Sequence, residues 1–226
     1  MIAENIELVR ERIKAACLRS RRDPKEVTLI AVSKTKPASM IEEAALTGIR
    51  DFGENKVQEI LDKAPQFPED FRWHMIGHLQ RNKVKQVIGK ACLIHSVDSV
   101  RLAKQIEEEA GKLELSVPVL LEVNVAREES KFGFYMEEVE DAILEIKNYS
   151  HVKIQGLMTI APFVENPEEN REIFRKLNQF YVDMKSKNID NVTMSALSMG
   201  MTGDYEVAVE EGATMVRVGT GIFGAR

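Results

Sequence analysis

The sequence predicts a single (β/α)8 barrel with an extra helix in front of it. Three observations carry that expectation. Eight short β-type runs recur, at 28–34, 51–55, 73–77, 92–97, 117–124, 152–160, 193–199 and 215–220. A helix-sized segment separates each run from the next, the alternation of parallel α/β folds. The length, 226 residues, suits one such barrel.

Taken in order, the elements justify themselves as follows. Ile2, Ile6, Val9, Ile13 and Ala16 recur at helical spacing and give an opening amphipathic helix before Pro24. The first strand ends on Lys34, and a helix opens after Pro37. After the third strand, Gln80-Arg81-Asn82-Lys83-Val84-Lys85 opens a helix whose clustered positive charge reads as a hydrated face, with a partner or anion surface as the alternative. Leu102, Ala103, Ile106, Ala110 and Leu113 form the stripe after the fourth strand. The fifth strand runs into Glu128-Glu129-Ser130-Lys131-Phe132-Gly133, either a mobile loop at the mouth or a plain solvated connection. Val139, Ala142, Ile143 and Ile146 form the next stripe, and Ile173, Leu177, Phe180 and Met184 the one after. Asp204 is placed to begin the helix after the seventh strand. No linker, low-complexity tract or shift of composition divides the chain, so one domain over 1–226 is expected.

Composition excludes several classes. With 31 basic against 36 acidic residues the net charge is −5, which argues against a nucleic-acid binder. The cluster Arg19-Ser20-Arg21-Arg22 reads as a solvated helix end. Cys17 and Cys92 are far apart and form no C-x-x-C pair, so reduced thiols in a cytoplasmic protein are expected, with no disulfide or metal site. Charges at Glu4, Glu7 and Arg10 argue against a secretory signal, and no apolar stretch reaches membrane-spanning length.

The chemistry gathers at the carboxyl ends of the strands, where barrels of this kind keep their sites. Lys34 brings an amine there, and a neutral amine can form a Schiff base with an aldehyde. The seventh strand runs into Ser198-Met199-Gly200-Met201-Thr202, and the eighth ends Arg217-Val218-Gly219-Thr220-Gly221. Glycine loops after these two strands suit a phosphate cup of backbone N–H groups and a hydroxyl. Residues two apart share a face, so Val32 goes with Lys34, Gly53 with Asn55, His74 with Ile76, Gly156 with Met158, Ala196 with Ser198, and Arg217 with Gly219. An inward Arg217 needs an acceptor, either a ligand or a carboxylate such as Glu122. The spacing His74-x-x-x-His78 is a poor metal motif, because Gly77 interrupts it and no glutamate follows His74. His95 and His151 stand alone and receive no role, and the methionines other than Met158 read as core filling. An amine, a phosphate cup and an arginine between them match the outline of pyridoxal 5′-phosphate.

Six blocks then carry a likeness. They are Ala31-Val32-Ser33-Lys34-Thr35-Lys36, Phe52-Gly53-Glu54-Asn55, Trp73-His74-Met75-Ile76-Gly77-His78-Leu79-Gln80, Gly156-Leu157-Met158, Leu197-Ser198-Met199-Gly200-Met201, and Val216 through Gly224. In these blocks and their order the chain resembles the pyridoxal-phosphate homeostasis protein family, single-domain relatives of the alanine racemase N-terminal barrel. The resemblance implies that Lys34 holds the cofactor as a Schiff base. It implies that Ser198, Gly200, Gly219 and Thr220 bind phosphate, that Arg217 lies near the pyridine nitrogen, and that Asn55, His74 and Met158 line the pocket. Thr202-Gly203 is a small variation on the family loop.

The expected function is that of a cofactor buffer and carrier with little or no turnover, and not of an enzyme. An arginine beside the ring nitrogen disfavours its protonation and weakens the ring as an electron sink. A racemase of this fold also needs a tyrosine from a second domain, which is not expected here; Tyr135, Tyr149, Tyr181 and Tyr205 fall in or near helical segments. The expected state is a monomer, with apoenzymes that use pyridoxal phosphate as possible recipients, and with no nucleic-acid or membrane partner. The alternatives are an amino-acid racemase and a Schiff-base aldolase acting on a sugar phosphate.

Overall fold

A computed structural model describes residues 1–224. Eight parallel strands close into a barrel in the order β1 to β8, and the last pairs with the first. They are β1 (Thr28–Val32), β2 (Asp51–Glu54), β3 (Arg72–Met75), β4 (Leu93–Val97), β5 (Val117–Glu122), β6 (Val152–Met158), β7 (Val192–Met201) and β8 (Met215–Val218). The helices are α1 (Ile2–Arg19), α2 (Ala38–Ala45), α3 (Val57–Lys63), α4 (Val84–Val87), α5 (Val100–Lys112), α6 (Val139–Ile146), α7 (Arg171–Ser186), α8 (Tyr205–Glu210) and α9 (Thr220–Phe223). All eight expected strands are present, as is the extra helix α1, which packs on α2, α8 and α9. Most strands stop short of the expected span: 33–34, 76–77 and 159–160 leave the ladder at the mouth, whereas β7 runs on to Met201. No helix among the described residues is long and apolar enough to cross a membrane.

Strand alternation divides the apolar residues into two cores. Phe52, Met75, Leu157, Leu197, Met199, Val216 and Val218 face the helices and join the main cluster. Leu93, Leu120, Met158 and Ala196 form a separate small cluster inside the barrel. β6 and β7 approach closely at Gly156, whose φ of 153° few side chains adopt. A Cβ there would lie 1.7 Å from the Ala196 carbonyl oxygen. The register shifts on both sides of β6 in this region.

The arginines at the end of α1 are solvated as expected at Arg19 and Arg21, and they also hold α8. Arg19 pairs with Glu210 at 2.5 Å and with Glu206 at 3.1 Å. Arg22 donates to the carbonyls of Val209 and Ala213, which ties the end of α1 to α8. Long arginine stems reach across a helix interface while keeping the guanidinium hydrogen-bonded, which a short basic string does not reveal. Arg171 of α7 pairs with Glu210 and Glu211 on the other side of α8. The helix behind the β7 loop is thereby held from two directions.

Candidate active site at the barrel mouth

Lys34 stands two residues past β1, half-buried, in a turn. Its amine makes no hydrogen bond or ion pair among the described residues. The next residue, Thr35, has φ of 64°, an uncommon state for a β-branched side chain and a local source of strain. Lys36 turns away and donates to the carbonyls of Phe223 and Gly224.

The glycine loops after β7 and β8 are stitched together. Gly200 has φ of 93°, and a Cβ would lie 2.6 Å from the Ala208 Cβ and 2.9 Å from the Tyr205 Cα, so only glycine lets α8 sit this close. Buried Asp204 accepts from the Met201 N–H at 2.7 Å and from Asn170 Nδ2 at 2.9 Å, which fixes the turn. The Thr202 hydroxyl accepts from the N–H groups of Gly219 at 3.2 Å and Gly221 at 3.3 Å. An oxygen is thus already seated against the N–H groups of the β8 loop. The variant residue Thr202 belongs to this cup, a role its sequence position alone did not reveal.

Inside the barrel the polar groups form one chain. Arg217, 3% exposed, donates to the Ser198 hydroxyl and to the Thr159 carbonyl at 2.8 Å. Ser198 Oγ meets His95 Nδ1 at 2.9 Å, His95 Nε2 meets His74 Nδ1 at 2.9 Å, and His74 Nε2 meets Asp51 Oδ1 at 2.9 Å. Arg72 closes the far end with a two-pronged pair to Asp51. An arginine only donates and a carboxylate only accepts, so Arg217 donates at one end, His74 Nε2 donates to Asp51 at the other, and the bonds between them follow the histidine tautomers. Burial drives His95 well below its ordinary pKa, helped by His74 and Arg217, so its ring is neutral. Desolvation raises Asp51, but His74 and Arg72 outweigh it and hold the carboxyl below its usual range.

Arg217 therefore finds its acceptors in a hydroxyl and a carbonyl, and Glu122 supplies charge without a direct bond. Burial lowers the guanidinium to about 10, which leaves it charged near neutral pH. Glu122, at the end of β5 beside Met158 in the ladder, is pushed up to about 7. Burial dominates that shift, Asp98 adds to it, and Arg217 opposes it.

The nine residues singled out in the sequence divide into two layers. Lys34, Asn55, Gly200, Gly219 and Thr220 lie at the strand ends around the mouth. His74, Met158, Ser198 and Arg217 lie on the strands and are buried beneath it. Ser198 directs its hydroxyl into the interior chain, where His95 and Arg217 use it. His74 and His78 diverge: both nitrogens of His74 are engaged inside, while His78 bonds Asp98 at 3.1 Å and stacks on Phe132 at 3.7 Å. Asp51 and His95 were missed. Their register with His74 across β2, β3 and β4 is a three-strand relationship that no local motif carries. The 128–133 loop is tied at its base, because Asn124 bonds Glu128 twice and Phe134 exchanges backbone bonds with Glu122 and Asn124. Beside Asn55, a hollow of about 370 Å³ is lined by Lys56, Gln58, His78, Gln80 and Lys83.

Comparison with known proteins agrees with this architecture. Residues 2–226 match the family model described as alanine racemase, N-terminal domain. The pyridoxal phosphate homeostasis protein of Aquifex aeolicus is 44% identical over 224 residues, covering 99% of this chain and 97% of that protein. The structure of PipY of Synechococcus elongatus with pyridoxal phosphate bound superposes with a TM-score of 0.83 at 36% identity, covering 99% of this chain and 100% of that one. Alanine racemase from Corynebacterium glutamicum shares the fold alone, at 14% identity and a TM-score of 0.74 over 60% of its length. By strand order, mouth geometry and these likenesses together, the chain belongs to the pyridoxal phosphate homeostasis protein family, on the barrel fold of the alanine racemase N-terminal domain.

Proposed function

We propose that this protein binds pyridoxal 5′-phosphate at the carboxyl end of its barrel and serves as a buffer and carrier of that cofactor, without catalytic turnover. The observation that carries the reading is the meeting, at one end of the barrel, of an uncommitted amine, a glycine cup and a buried guanidinium. Lys34 brings the amine, Gly200, Gly219 and Thr220 line the cup, and Arg217 lies beneath. The residues fit the group. A seated hydroxyl, Thr202 Oγ1, already accepts from two N–H groups of the cup, as an oxygen of a phosphate would. The cofactor supplies an aldehyde that condenses with a neutral amine to give a C=N bond and water.

Each residue has its own task. Lys34 provides the nitrogen. Gly200, Gly219 and Thr220 are placed at the strand ends to face the phosphate, while the Ser198 hydroxyl serves Arg217. Arg217 presents a fixed cation toward the ring and disfavours a proton on its nitrogen. Asn55 and Met158 line the sides, and His74 acts from below through His95. The reading extends to a monomer that hands the cofactor to apoenzymes, and a Lys34 only half-buried at the mouth supports exchange.

Racemisation is disfavoured by the tyrosines. Tyr181 donates to the Met194 carbonyl at 2.7 Å, Tyr149 reaches Glu145, Tyr135 lies under Arg127, and Tyr205 neighbours Arg12 and Glu206. None of the four contributes to the interior chain among the described residues. The deciding experiment is a visible spectrum with added pyridoxal phosphate, followed by borohydride and peptide mass analysis. A visible band with the reduced mass on Lys34, lost in Lys34→Ala with the fold intact, is expected. A reduced mass on another lysine, or rapid racemisation of free amino acids, would overturn the reading.

A further inference from the structure

Lys63, Glu54 and Glu59 form a cluster behind β1, away from the barrel interior, with Glu54 and Lys63 buried and Glu59 partly exposed. Lys63 Nζ donates to the Ser33 carbonyl, to Glu54 Oε1 and to Glu59 Oε2, each at 2.8 Å. The Ser33 hydroxyl donates to Glu54 Oε1 at 2.6 Å, and the Thr35 N–H donates to Glu59 Oε2 at 2.7 Å. Ser33 and Glu54 are fully buried, and Lys63 is 8% exposed. The bonds fall on residues 33 and 35 and none falls on Lys34, so the backbone on both sides of the amine is clamped while its side chain stays uncommitted.

This arrangement is poorly explained by stability alone. Burying an ion cluster in place of apolar side chains is often neutral or unfavourable. One buried oxygen, Glu54 Oε2, has no partner. Burial pushes the Glu54 carboxyl up to about 7 in spite of its bonds to Lys63 and Ser33. The clamp also holds Thr35 at φ of 64°, a strained state that persists only where the surroundings over-determine it.

We propose that Glu54, Glu59 and Lys63 are positioning residues that aim the Lys34 amine into the mouth by fixing the Ser33–Thr35 turn. The proposal rests on the reading of Lys34 as the cofactor lysine. It deepens that reading, because the reactivity of the amine is then set from α3, on the far side of the strand.

The test compares wild type, Glu59→Ala, Glu59→Gln, Lys63→Met and Lys34→Ala, each checked by thermal unfolding. The readout is the rate at which the visible band forms on adding pyridoxal phosphate, well below the unfolding temperature, with borohydride labelling of Lys34 as the second measure. Glu59→Ala and Lys63→Met are expected to slow band formation about tenfold to a hundredfold while remaining folded. Glu59→Gln, which keeps an oxygen for the Thr35 N–H, should recover most of the rate. A folded Glu59→Ala protein that reacts at the wild-type rate would overturn the positioning role and leave Lys34 as the cofactor lysine. Wild type that takes no label at Lys34 would overturn both.

Discussion

Arg217 and Asp51 stand at opposite ends of one hydrogen-bonded chain that crosses the inside of the barrel through Ser198, His95 and His74. Removing a middle link leaves a buried polar group without its partner on each side. His95→Leu should therefore cost about 2–4 kcal/mol in urea unfolding, the sum of two orphaned polar groups. Paired with Ser198→Ala, the double variant should lose about 1 kcal/mol less than the two single losses added together. Strict additivity would show that the groups do not act as a unit.

Glu122 gives a prediction with a defined sign. Its folded pKa is raised to about 7 by burial, above the ordinary glutamate value of 4.5. A raised carboxyl contributes stability that is fully present below about 4.5 and is lost as pH climbs through about 7. Glu122→Gln keeps the neutral shape at every pH. It should match wild type near pH 4.5 and exceed it by roughly 1–3 kcal/mol at pH 8, measured by denaturant titration at both values. A variant less stable than wild type at pH 8 would contradict this and point to a carboxylate that Arg217 needs.

Phe132 gives a third. It stacks on His78 with rings 3.7 Å apart and 11° from parallel, and joins the β5 loop to the end of β3 across the rim. The ring is half exposed, so Phe132→Ala should shift global stability by no more than about 0.5 kcal/mol. Amide exchange over 128–133 should nevertheless quicken several-fold in a hydrogen-exchange measurement. Unchanged exchange there would mean that Asn124 and Phe134 alone hold the loop.

The order of the strands was legible because β-runs and amphipathic helices have periods that survive in one dimension. The mouth was legible for a related reason: Lys34 and the glycines sit at strand ends, and an end is a position along the chain. What escaped was lateral. Asp51, His74 and His95 lie on three adjacent strands, and their contact depends on how those strands are staggered. Glu59 and Lys63, which no motif singled out, reach back under β1 to Ser33 and Thr35. Ser198 lies on β7, but the contacts of its hydroxyl follow from His95 and Arg217, which the chain brings from far away.

Closure of the cylinder depends on a short seam. Thr28 to Ala31 pair with Met215 to Val218, so the earliest strand waits for the latest one before the ring is complete. Such remote pairing slows folding, since the loop entropy is spent before any contact rewards it. Lys34 and Arg217 belong to the two lips of that seam. A guest gripped by both works as a rivet, binding only the sealed ring, and loading should raise resistance to unfolding in step with its concentration.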